Sequence, residues 1–372
     1  MIIQNAKVFY EGQFQSLDVR MEDGIIKEVA SAIHMEEGED ARGRYLVPGF
    51  IDLHTHGCMG HDFSNAKADE INEMCRHYIN CGVTSVVATT MTMNYETYKE
   101  TAVRLKEYIE SKQNLNLLGL NMEGPFLSEE KKGAHDAQFL LQPEIDKIRE
   151  LDRLAGGHFL LIDLAPELPG AMDCIREFSG EKVLSLAHTA CNYTQAIEAF
   201  EAGASQVTHL FNAMNGIHHR EAGPIGAAFD RKAGVELICD GIHVNPTVLR
   251  MVFAMMPEQI IVISDSISAC GLPDGEYVLG GQTVFTKGKK AALLDGTIAG
   301  SVTDLGAALG YLVHECGIPL EKVIPCMSEH PAKALGLEQK LGFIQPGRQG
   351  DVLLLNEDLT IKKVYKKGIE VK

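Results

Sequence analysis

The stretch PGFIDLHTHG, residues 48–57, begins the series of buried strands that determines the fold. Its apolar run from Phe50 is typical of a buried β-strand, and it ends in two histidines one residue apart, His54 and His56. Side chains alternate between the two faces of a strand, so both imidazoles point to the same side. The stretch therefore predicts a buried strand that carries two histidines at its carboxyl end.

Further runs of the same β-rich character follow at intervals along the chain. The predicted strands are Phe50 to His56, Thr84 to Thr90, Leu117 to Glu123, Phe159 to Ala165, Val183 to His188, Gln206 to His209, Val235 to Asp240 and Ile260 to Asp265. Helix-compatible stretches include Asn94 to Lys112, Asn192 to Ala202, Pro246 to Met255, Thr303 to Cys316 and Leu320 to Leu335. Alternating strands and helices indicate an α/β protein with a parallel sheet. Eight such units predict a (β/α)₈ TIM-like barrel, whose usual length of about 250 residues fits the span 49–335.

The two ends of the chain have a different pattern. Short strands separated by turns at Glu11-Gly12 and Asp23-Gly24 fill the first 48 residues, and residues 336–372 return to β character. We therefore expect a barrel domain over residues 49–335 and a small β-sandwich domain built from residues 1–48 together with 336–372. Turn signals between residues 272 and 296 also predict a hairpin inserted after the eighth strand.

The composition excludes several classes of protein. Of 372 residues, 45% are hydrophobic and 23% charged, which is too apolar for a disordered chain. Lys and Arg number 34 against 51 Asp and Glu, and the resulting net charge of −17 disfavours nucleic acid and anionic membranes as partners. The nine cysteines form no C-x-x-C pair, which argues against a disulfide framework and a zinc ribbon. Since neither a secretory leader nor an apolar run of about 20 residues is evident, we expect a cytoplasmic protein.

Polar residues occur where six of the eight predicted strands end. They are His54, His56, Glu123, His188, His209, Asp240 and Asp265. In a parallel barrel these ends lie on one face, where barrel active sites are found. A single histidine in such a place is more often a hydrogen-bonded packing residue than a ligand. Four histidines together with carboxylates at separate strand ends instead predict a shared metal site.

Imidazole and carboxylate are ligands that zinc prefers, and Fe, Mn, Co or Ni bind similar sets. The candidate metal ligands are His54, His56, Glu123, His188, His209 and Asp265. They exceed the four contacts of one tetrahedral ion, so the set can hold one or two divalent ions per subunit, with Glu123 as the bridging residue. Ligands spread over a barrel mouth favour a catalytic site, in which a bound water would have its pKa lowered to about 7.

Asp265 has a second candidate role, as a catalytic residue. Hydrolysis of an amide needs a base to take the proton of the water and an acid to protonate the leaving amine. One carboxylate beside a metal-activated water can do both in turn. The alternative, that Asp265 caps a helix in the segment SDSIS, stays open because Asp and Ser are also common at helix N-termini.

The segments around these residues resemble the N-acetylglucosamine-6-phosphate deacetylase family of the amidohydrolase superfamily. The matching segments are PGFIDLHTHG (48–57), MEGPF (122–126), KKGAH (131–135), APE (165–167), AHT (187–189), THLFNAM (208–214), ICDGIHV (238–244), SDSISACG (264–271) and GTIAGS (296–301). PGFID with HxHG is typical of the superfamily, whereas EGP, THLFNAM and DGxH point to the deacetylases. The resemblance covers essentially the whole chain.

The resemblance implies a reaction and a set of roles. The substrate would be N-acetyl-D-glucosamine 6-phosphate, and the products D-glucosamine 6-phosphate and acetate. Glu123, His188 and His209 would hold the principal metal, with Asp265 as general base and acid. Residues that would contact the sugar are Ala134, His135, Asn212, Ala213, Asp240, His243, Ile298, Ala299 and Gly300. Some members have Gln and Asn where this chain has His54 and His56 and keep one metal, so the number of ions stays open here.

The resemblance also implies a phosphate site near the interface of a homodimer. In the family, Arg220 and His243 would approach the 6-phosphate, part of whose site comes from the partner subunit. The residues themselves agree, because Arg220 follows His218 and His219 in the loop GIHHREAGPIG and arginine binds phosphate through two parallel hydrogen bonds. A solvated polar loop is the alternative, and the roles of His218 and His219 stay undecided.

Three rival interpretations remain. A cyclic-amide amidohydrolase is disfavoured, because several of those bridge two metals with a carboxylated lysine after strand 4, where this chain has Ala165-Pro166-Glu167. A deacetylase of N-acetylgalactosamine 6-phosphate differs only in recognising one sugar hydroxyl, so the sequence separates it poorly. A non-catalytic metal-binding relative predicts the loss of a ligand or of the acid/base, and all are present here.

Overall fold

The computed structural model describes residues 1–33 and 38–372. The N-terminal strands are β1 (Ile2–Tyr10), β2 (Gln13–Glu22), β3 (Ile25–Ala30), β4 (Glu39–Asp40) and β5 (Tyr45–Pro48). The turns between the first three begin with Glu11-Gly12 and Asp23-Gly24, all four of which have positive φ. Glycine adopts this conformation without steric cost, so the turn signals of the sequence correspond to real reversals of the chain.

Eight parallel strands form the barrel. After β5 the chain continues with β6 (Phe50–Thr55), β7 (Gly57–Cys58), β8 (His61–Asp62), β9 (Val83–Thr90), β10 (Leu117–Glu123), β11 (Phe159–Leu164), β12 (Val183–Leu186), β13 (Gln206–Val207), β14 (Gly234–Ile238) and β15 (Ile260–Ile263). Strands β7 and β8 pair as a short antiparallel hairpin. The other eight pair in the order β6-β9-β10-β11-β12-β13-β14-β15, and β15 lies next to β6, so the sheet is nearly closed.

Helices connect the strands and cover the barrel. They are α1 (Ala68–Asn80), α2 (Tyr95–Glu110), α3 (Ile145–Leu154), α4 (Ala171–Phe178), α5 (Tyr193–Ala202), α6 (Gly223–Arg231), α7 (Pro246–Met255), α8 (Leu305–Gly310), α9 (Leu320–Met327) and α10 (Glu329–Ala334). Buried side chains such as Tyr78, Leu105 and Phe178 belong to the same core as the strands. Across the described ranges, every helix is too short or too polar to cross a bilayer.

Two further β-structures follow the barrel strands. Strands β16 (Glu276–Leu279), β17 (Gln282–Lys287) and β18 (Lys290–Ala292) form a three-stranded antiparallel sheet where the sequence predicts a hairpin, so the insertion has one strand more than expected. The second reversal of this sheet, between β17 and β18, is at Gly288, whose φ is positive and which was not among the turn signals of the sequence. The Gln282 amide donates a hydrogen bond to the Ala134 carbonyl, which attaches this sheet to the segment after β10.

The last strands, β19 (Val352–Leu355), β20 (Ile361–Lys366) and β21 (Ile369–Glu370), return to the N-terminal strands. The mixed sheet has the order β21-β20-β19-β5-β1-β2-β3, with β4 beside β1. Its far edge approaches the segment before β19, since the Ile26 amide donates to the Arg348 carbonyl and the Gly350 amide to the Gly24 carbonyl, both at 2.8 Å. A separate apolar core lies within this sheet, including Val19, Leu46 and Leu354.

The predicted fold class is confirmed: a parallel eight-stranded barrel stands beside β-structure from both chain ends. The exact domain boundaries stay a prediction. The observed strands β12, β13 and β15 end two residues before His188, His209 and Asp265, at which the predicted strands ended. These three residues have φ of 43°, 30° and 48°, so the backbone leaves the extended conformation just before each polar side chain.

Candidate metal centre

Three potential ligand atoms from three strand ends converge at the barrel mouth. Oε1 of Glu123 lies 3.0 Å from Nε2 of His209 and 3.1 Å from Nε2 of His188, and the two nitrogens are 3.2 Å apart. Tetrahedral zinc with bonds of about 2.0–2.1 Å has its ligand atoms about 3.3 Å apart. The spacing therefore suits one ion with an open fourth position.

The orientation of His188 supports this geometry. Its Nδ1 lies 2.8 Å from the carbonyl oxygen of Lys131, which can only accept a hydrogen bond. In the neutral tautomer Nδ1 thus carries the proton, and the Nε2 lone pair faces Glu123 and His209. Two imidazole lone pairs and a carboxylate facing one point are the donor set of a divalent cation.

A second group faces the other oxygen of Glu123. Oε2 of Glu123 lies 3.1 Å from Nε2 of His56 and 3.5 Å from Nε2 of His54. Oδ1 of Asp265 lies 3.2 Å from the former and 3.7 Å from the latter. His54 Nε2 is buried without a hydrogen-bond partner in the part of the chain that the structure describes. Because the two carboxylate oxygens serve different groups, Glu123 has the geometry of a bridging ligand.

The electrostatics of the two groups follow from this proximity. Burial opposes protonation of His56, but the carboxylates of Asp265 and Glu123 outweigh it and raise its pKa to about 9. Burial also works against ionised Glu123, yet the surrounding histidines hold its pKa well below the usual range. For Asp265, hydrogen bonding to His56 overcomes burial and lowers the pKa. Both carboxylates are therefore charged at neutral pH, as metal ligands must be.

Residues beneath the barrel mouth position His54. Its Nδ1 lies 3.2 Å from Oε2 of Glu236, whose other oxygen accepts a hydrogen bond from Gln206 at 2.6 Å. Asn121 lies 3.4 Å from the same Nδ1 and donates to Asp163 at 3.0 Å. Partners of this kind fix the orientation of metal-binding histidines. The sequence interpretation missed them, although their signal is visible as polar residues inside otherwise apolar strands.

Backbone strain is concentrated at the same place. His188, His209 and Asp265 all have positive φ, which costs a non-glycine residue of order 1–3 kcal/mol each. The Asp265 main chain is held on both sides, since its amide donates to the His54 carbonyl at 2.9 Å and its carbonyl accepts from the Ser301 amide at 2.8 Å. The fold thus fixes these side chains at the barrel mouth rather than leaving them on mobile loops.

A cavity of about 300 Å³ opens directly over these residues. It is lined by His56, Met91, Glu123, Glu130, Lys131, Gly133, Ala134, His135, His188, His209, Asn212, Ala213, His243, Asp265, Leu279, Thr297, Ile298 and Gly300. Most of the sugar contacts expected from the sequence are in this set. Glu130, Lys131, Met91, Leu279 and Thr297 also line the cavity and were not among the site residues expected from the sequence.

Three expected contacts lie outside the cavity lining. Asp240 is buried behind His243, with Oδ2 2.8 Å from the imidazole Nδ1, and it accepts hydrogen bonds from the backbone amides of Ile242 and His243. Ala299 is fully buried in the core under the inserted sheet. Arg220 is exposed, and its Nη1 lies 2.8 Å from Nε2 of His219. Asp240 can therefore act only through His243 in this arrangement.

Comparison with known proteins finds relatives that cover nearly the whole chain. Residues 45–371 match the Amidohydrolase family. The chain is 33% identical over 375 residues to N-acetylglucosamine-6-phosphate deacetylase from Lysinibacillus sphaericus, covering 99% of this chain and 97% of that protein. It is 32% identical over 361 residues to N-acetylgalactosamine-6-phosphate deacetylase from Escherichia coli O157:H7, covering 96% and 95%.

A solved structure agrees with both sequence comparisons. A mutant of N-acetyl-D-glucosamine-6-phosphate deacetylase from Mycobacterium smegmatis, in complex with N-acetyl-D-glucosamine-6-phosphate, superposes with a TM-score of 0.94. The two chains are 29% identical, and the match covers 100% of this chain and 99% of that one. The likeness therefore includes the barrel and the β-structure from both chain ends.

Proposed function

We propose that this chain, which belongs to the amidohydrolase family, hydrolyses the N-acetyl amide of N-acetyl-D-glucosamine 6-phosphate to D-glucosamine 6-phosphate and acetate. The observation that carries the proposal is the convergence of Glu123, His188 and His209 beside Asp265 under one cavity. Its volume of about 300 Å³ is within the range of small-molecule sites. Full-length relatives with this activity support the choice of substrate.

The residues fit a divalent cation, for which zinc is the first proposal and Fe, Mn, Co or Ni are alternatives. Glu123, His188 and His209 would hold the principal ion, and His54, His56 and Asp265 with the second oxygen of Glu123 would hold another. Such an ion, when bound, acidifies water and polarises a carbonyl oxygen. Metal analysis of the freshly purified protein distinguishes one ion from two.

Asp265 would move the proton during the reaction. Its pKa is lowered through the hydrogen bond to His56, so it is a carboxylate at neutral pH and can accept a proton from the attacking water. Donating that proton to the nitrogen of the scissile amide releases the amine. Asp265 lines the cavity, which lets one carboxylate serve as base and then as acid.

The sugar would occupy the cavity between the ligand groups and the loops above them. Ala134, His135, Asn212, Ala213, Ile298 and Gly300 line it. His243, oriented by Asp240, would bind the 6-phosphate together with Arg220. A guanidinium and an imidazole suit a phosphate even in a chain of net charge −17, because only the local potential acts on a small ligand.

The exposed position of Arg220 supports a homodimeric phosphate site. The loops and helices after β13 and β14 expose large apolar side chains, namely Ile217, Phe229, Ile242, Met251 and Met255. A partner subunit that covers such side chains would bring further groups close to Arg220. Light scattering at several protein concentrations tests the dimer, and a strictly monomeric active enzyme would contradict it.

A reducing, cytoplasmic location is proposed from the cysteines. All nine are free thiols, and eight of them are buried. In oxidising compartments cysteines usually pair as disulfides, so free thiols favour a reducing compartment. Fractionation of cells with antibodies against the native protein provides the test.

The preferred sugar is the point at which the relatives differ. Turnover of N-acetylglucosamine 6-phosphate and N-acetylgalactosamine 6-phosphate is measured in parallel, and we expect the higher kcat/KM for the former. Equal or reversed preference would overturn the glucosamine assignment and favour the galactosamine alternative, to which the relative from Escherichia coli O157:H7 corresponds. Release of acetate from neither sugar, with ring opening of a cyclic amide instead, would overturn the deacetylase proposal.

A further inference from the structure

A second cluster of metal-binding side chains lies outside the lining of the cavity. His77 belongs to α1, Cys81 follows the end of that helix, and Asp304 precedes α8. One potential ligand atom from each lies within 4.8 Å of the others. The Sγ of Cys270, from the segment after β15, lies 3.9 Å from Nε2 of His77 and therefore beside this group of three. Four side chains from three separate parts of the chain therefore meet.

The distances from Nε2 of His77 to the two sulfurs suit a tetrahedral ion. Cys81 Sγ lies 3.7 Å from Nε2 of His77, close to the 3.9 Å of Cys270. Zinc bonds of about 2.3 Å to sulfur and about 2.0–2.1 Å to nitrogen place two such atoms about 3.6 Å apart. Two thiolates, one imidazole and one carboxylate form a soft donor set that selects zinc over magnesium or calcium. We propose that His77, Cys81, Cys270 and Asp304 bind a zinc ion that has no part in substrate chemistry.

The cluster can be reached by an ion and can adjust to hold one. His77, Cys81 and Asp304 are only partly buried, whereas Cys270 is buried. Oδ1 of Asp304 accepts the amide hydrogen bond of Ala307 at the start of α8, and a carboxylate can keep this bond with one oxygen while the other binds metal. The Cys270 thiol donates weakly to the Thr303 carbonyl at 3.4 Å, and ionisation of the thiol replaces that contact with a sulfur–zinc bond.

The protons of the two thiols leave when the ion binds. Each Cys–SH loses H⁺ to solvent as its sulfur forms a bond to zinc, and the imidazole binds through a nitrogen lone pair without change of charge. Burial lowers the pKa of His77, which keeps that imidazole neutral. Burial raises the pKa of both Cys81 and Cys270, so both remain thiols until a cation arrives. Binding of the ion therefore releases two protons.

The place of the cluster gives the ion a structural role. Cys270 lies in the same segment as Asp265, and Asp304 lies shortly after Gly300, which lines the cavity. A shared ion fixes both segments to the end of α1. This inference is independent of the proposed substrate, since it rests on side chains that do not line the cavity.

Cobalt(II) substitution of the full-length protein tests the site, because thiolate ligands give Co²⁺ an intense near-ultraviolet charge-transfer absorption. The ligands under the cavity offer only nitrogen and oxygen, so they cannot produce this band. Co²⁺ is added stepwise to metal-free wild-type protein, and metal content and spectrum are recorded together. We expect the band to appear in the wild type and one equivalent of metal to be lost in Cys81→Ser and Cys270→Ser, along with the band.

Two controls separate the new site from the candidate metal centre and from general damage. Cys75→Ser removes a buried thiol from the same helix but outside the cluster and should keep the band. Glu123→Gln should lose metal at the cavity and also keep the band.

Asp304→Asn tests the carboxylate ligand. It preserves the helix cap, since Asn caps as well as Asp, and should weaken binding of the ion by at least tenfold. The proposal would be overturned if the wild-type protein showed no thiolate band, or if Cys81→Ser and Asp304→Asn both kept the wild-type metal content. If a cysteine variant does not fold, the wild-type spectrum and the metal content of Asp304→Asn test the proposal.

Discussion

Nε2 of His56 lies 3.2 Å from Oδ1 of Asp265, so a histidine just after the first barrel strand and a carboxylate just after the last one meet where the barrel closes. The carboxylate is buried and charged, and the imidazole is the partner that keeps it so. Asp265 is therefore both the proposed proton carrier and a member of the second group of candidate metal ligands. A change at either residue should affect both proton transfer and metal binding, which guides the predictions below.

Asp265→Asn should lower kcat by about 10²–10⁴-fold, the usual contribution of general acid–base catalysis. Asparagine tolerates the positive φ of 48° at this position and keeps the side-chain size, but it cannot accept the proton. Steady-state kinetics and metal analysis are performed on the same preparation. Near-normal turnover with metal content intact would contradict the proposed role of Asp265 as general base and acid.

Arg220→Ala should raise KM for the phosphorylated sugar by roughly 10- to 100-fold, as expected for the loss of a hydrogen bond to a charged group. Turnover of the unphosphorylated sugar should not change, because the guanidinium serves only the phosphate. Arg231→Ala is the matched control, since Arg231 is also exposed and pairs with Glu201 on the surface. Equal effects of the two substitutions would remove Arg220 from the phosphate site.

The metal-free protein should lose stability as the pH rises through the titration of His56. The folded protein raises the pKa of this residue from 6.5 to about 9, so it binds the proton more tightly than the unfolded chain does. Its contribution is fully present below pH 6.5 and is lost as the pH rises through about 9. We expect the free energy of unfolding to fall by an amount on the order of 1–3 kcal/mol over that window.

Urea unfolding of metal-free protein across this window measures the effect. Metal-free His56→Asn should show a flatter profile, because the titrating group is absent. The same slope in wild type and variant would show that His56 does not carry the proton.

Gly300→Ala should reduce kcat by tenfold or more, because a displacement of about 1 Å near the reacting groups can cost about 10²-fold. An added Cβ would collide with the side chain of Ile267 and lie 3.0 Å from the carbonyl oxygen of Asp265. Gly296→Ala is the matched control: its φ is also positive, at 89°, but the space around it is open to 4 Å. Both variants should show backbone strain in their Tm, and only Gly300→Ala should lose activity. A similar loss in both would mean that strain alone is responsible.

The strand ends could be predicted from the sequence because each is a local pattern. A short apolar run followed by a polar residue identifies His54, Glu123 or His209 without knowledge of its neighbours, and the parallel barrel then brings the residues together. Glu236 and Asp163 were missed because their partners lie on other strands, and the pairing depends on which strand faces fill the barrel interior. His77 in the last turn of α1 and Cys81 just after the helix are four residues apart in the sequence. Their meeting with Cys270 and Asp304 could not be predicted from the sequence, because it depends on how two loops pack against α1.

The pairing of β5 with β19 has a consequence for synthesis of the chain. Val47 of β5 lies opposite Leu353 of β19. During synthesis β5 therefore cannot pair on this side until β19 has emerged from the ribosome, which happens only after the whole barrel. Until then one edge of β5, including the fully buried Leu46, has no neighbour to cover it. Contacts between distant parts of a chain form slowly and leave such edges prone to aggregation. A chain whose translation stops between β15 and β19 would therefore contain every barrel strand, but its small sheet would have an unpaired edge and be prone to aggregation.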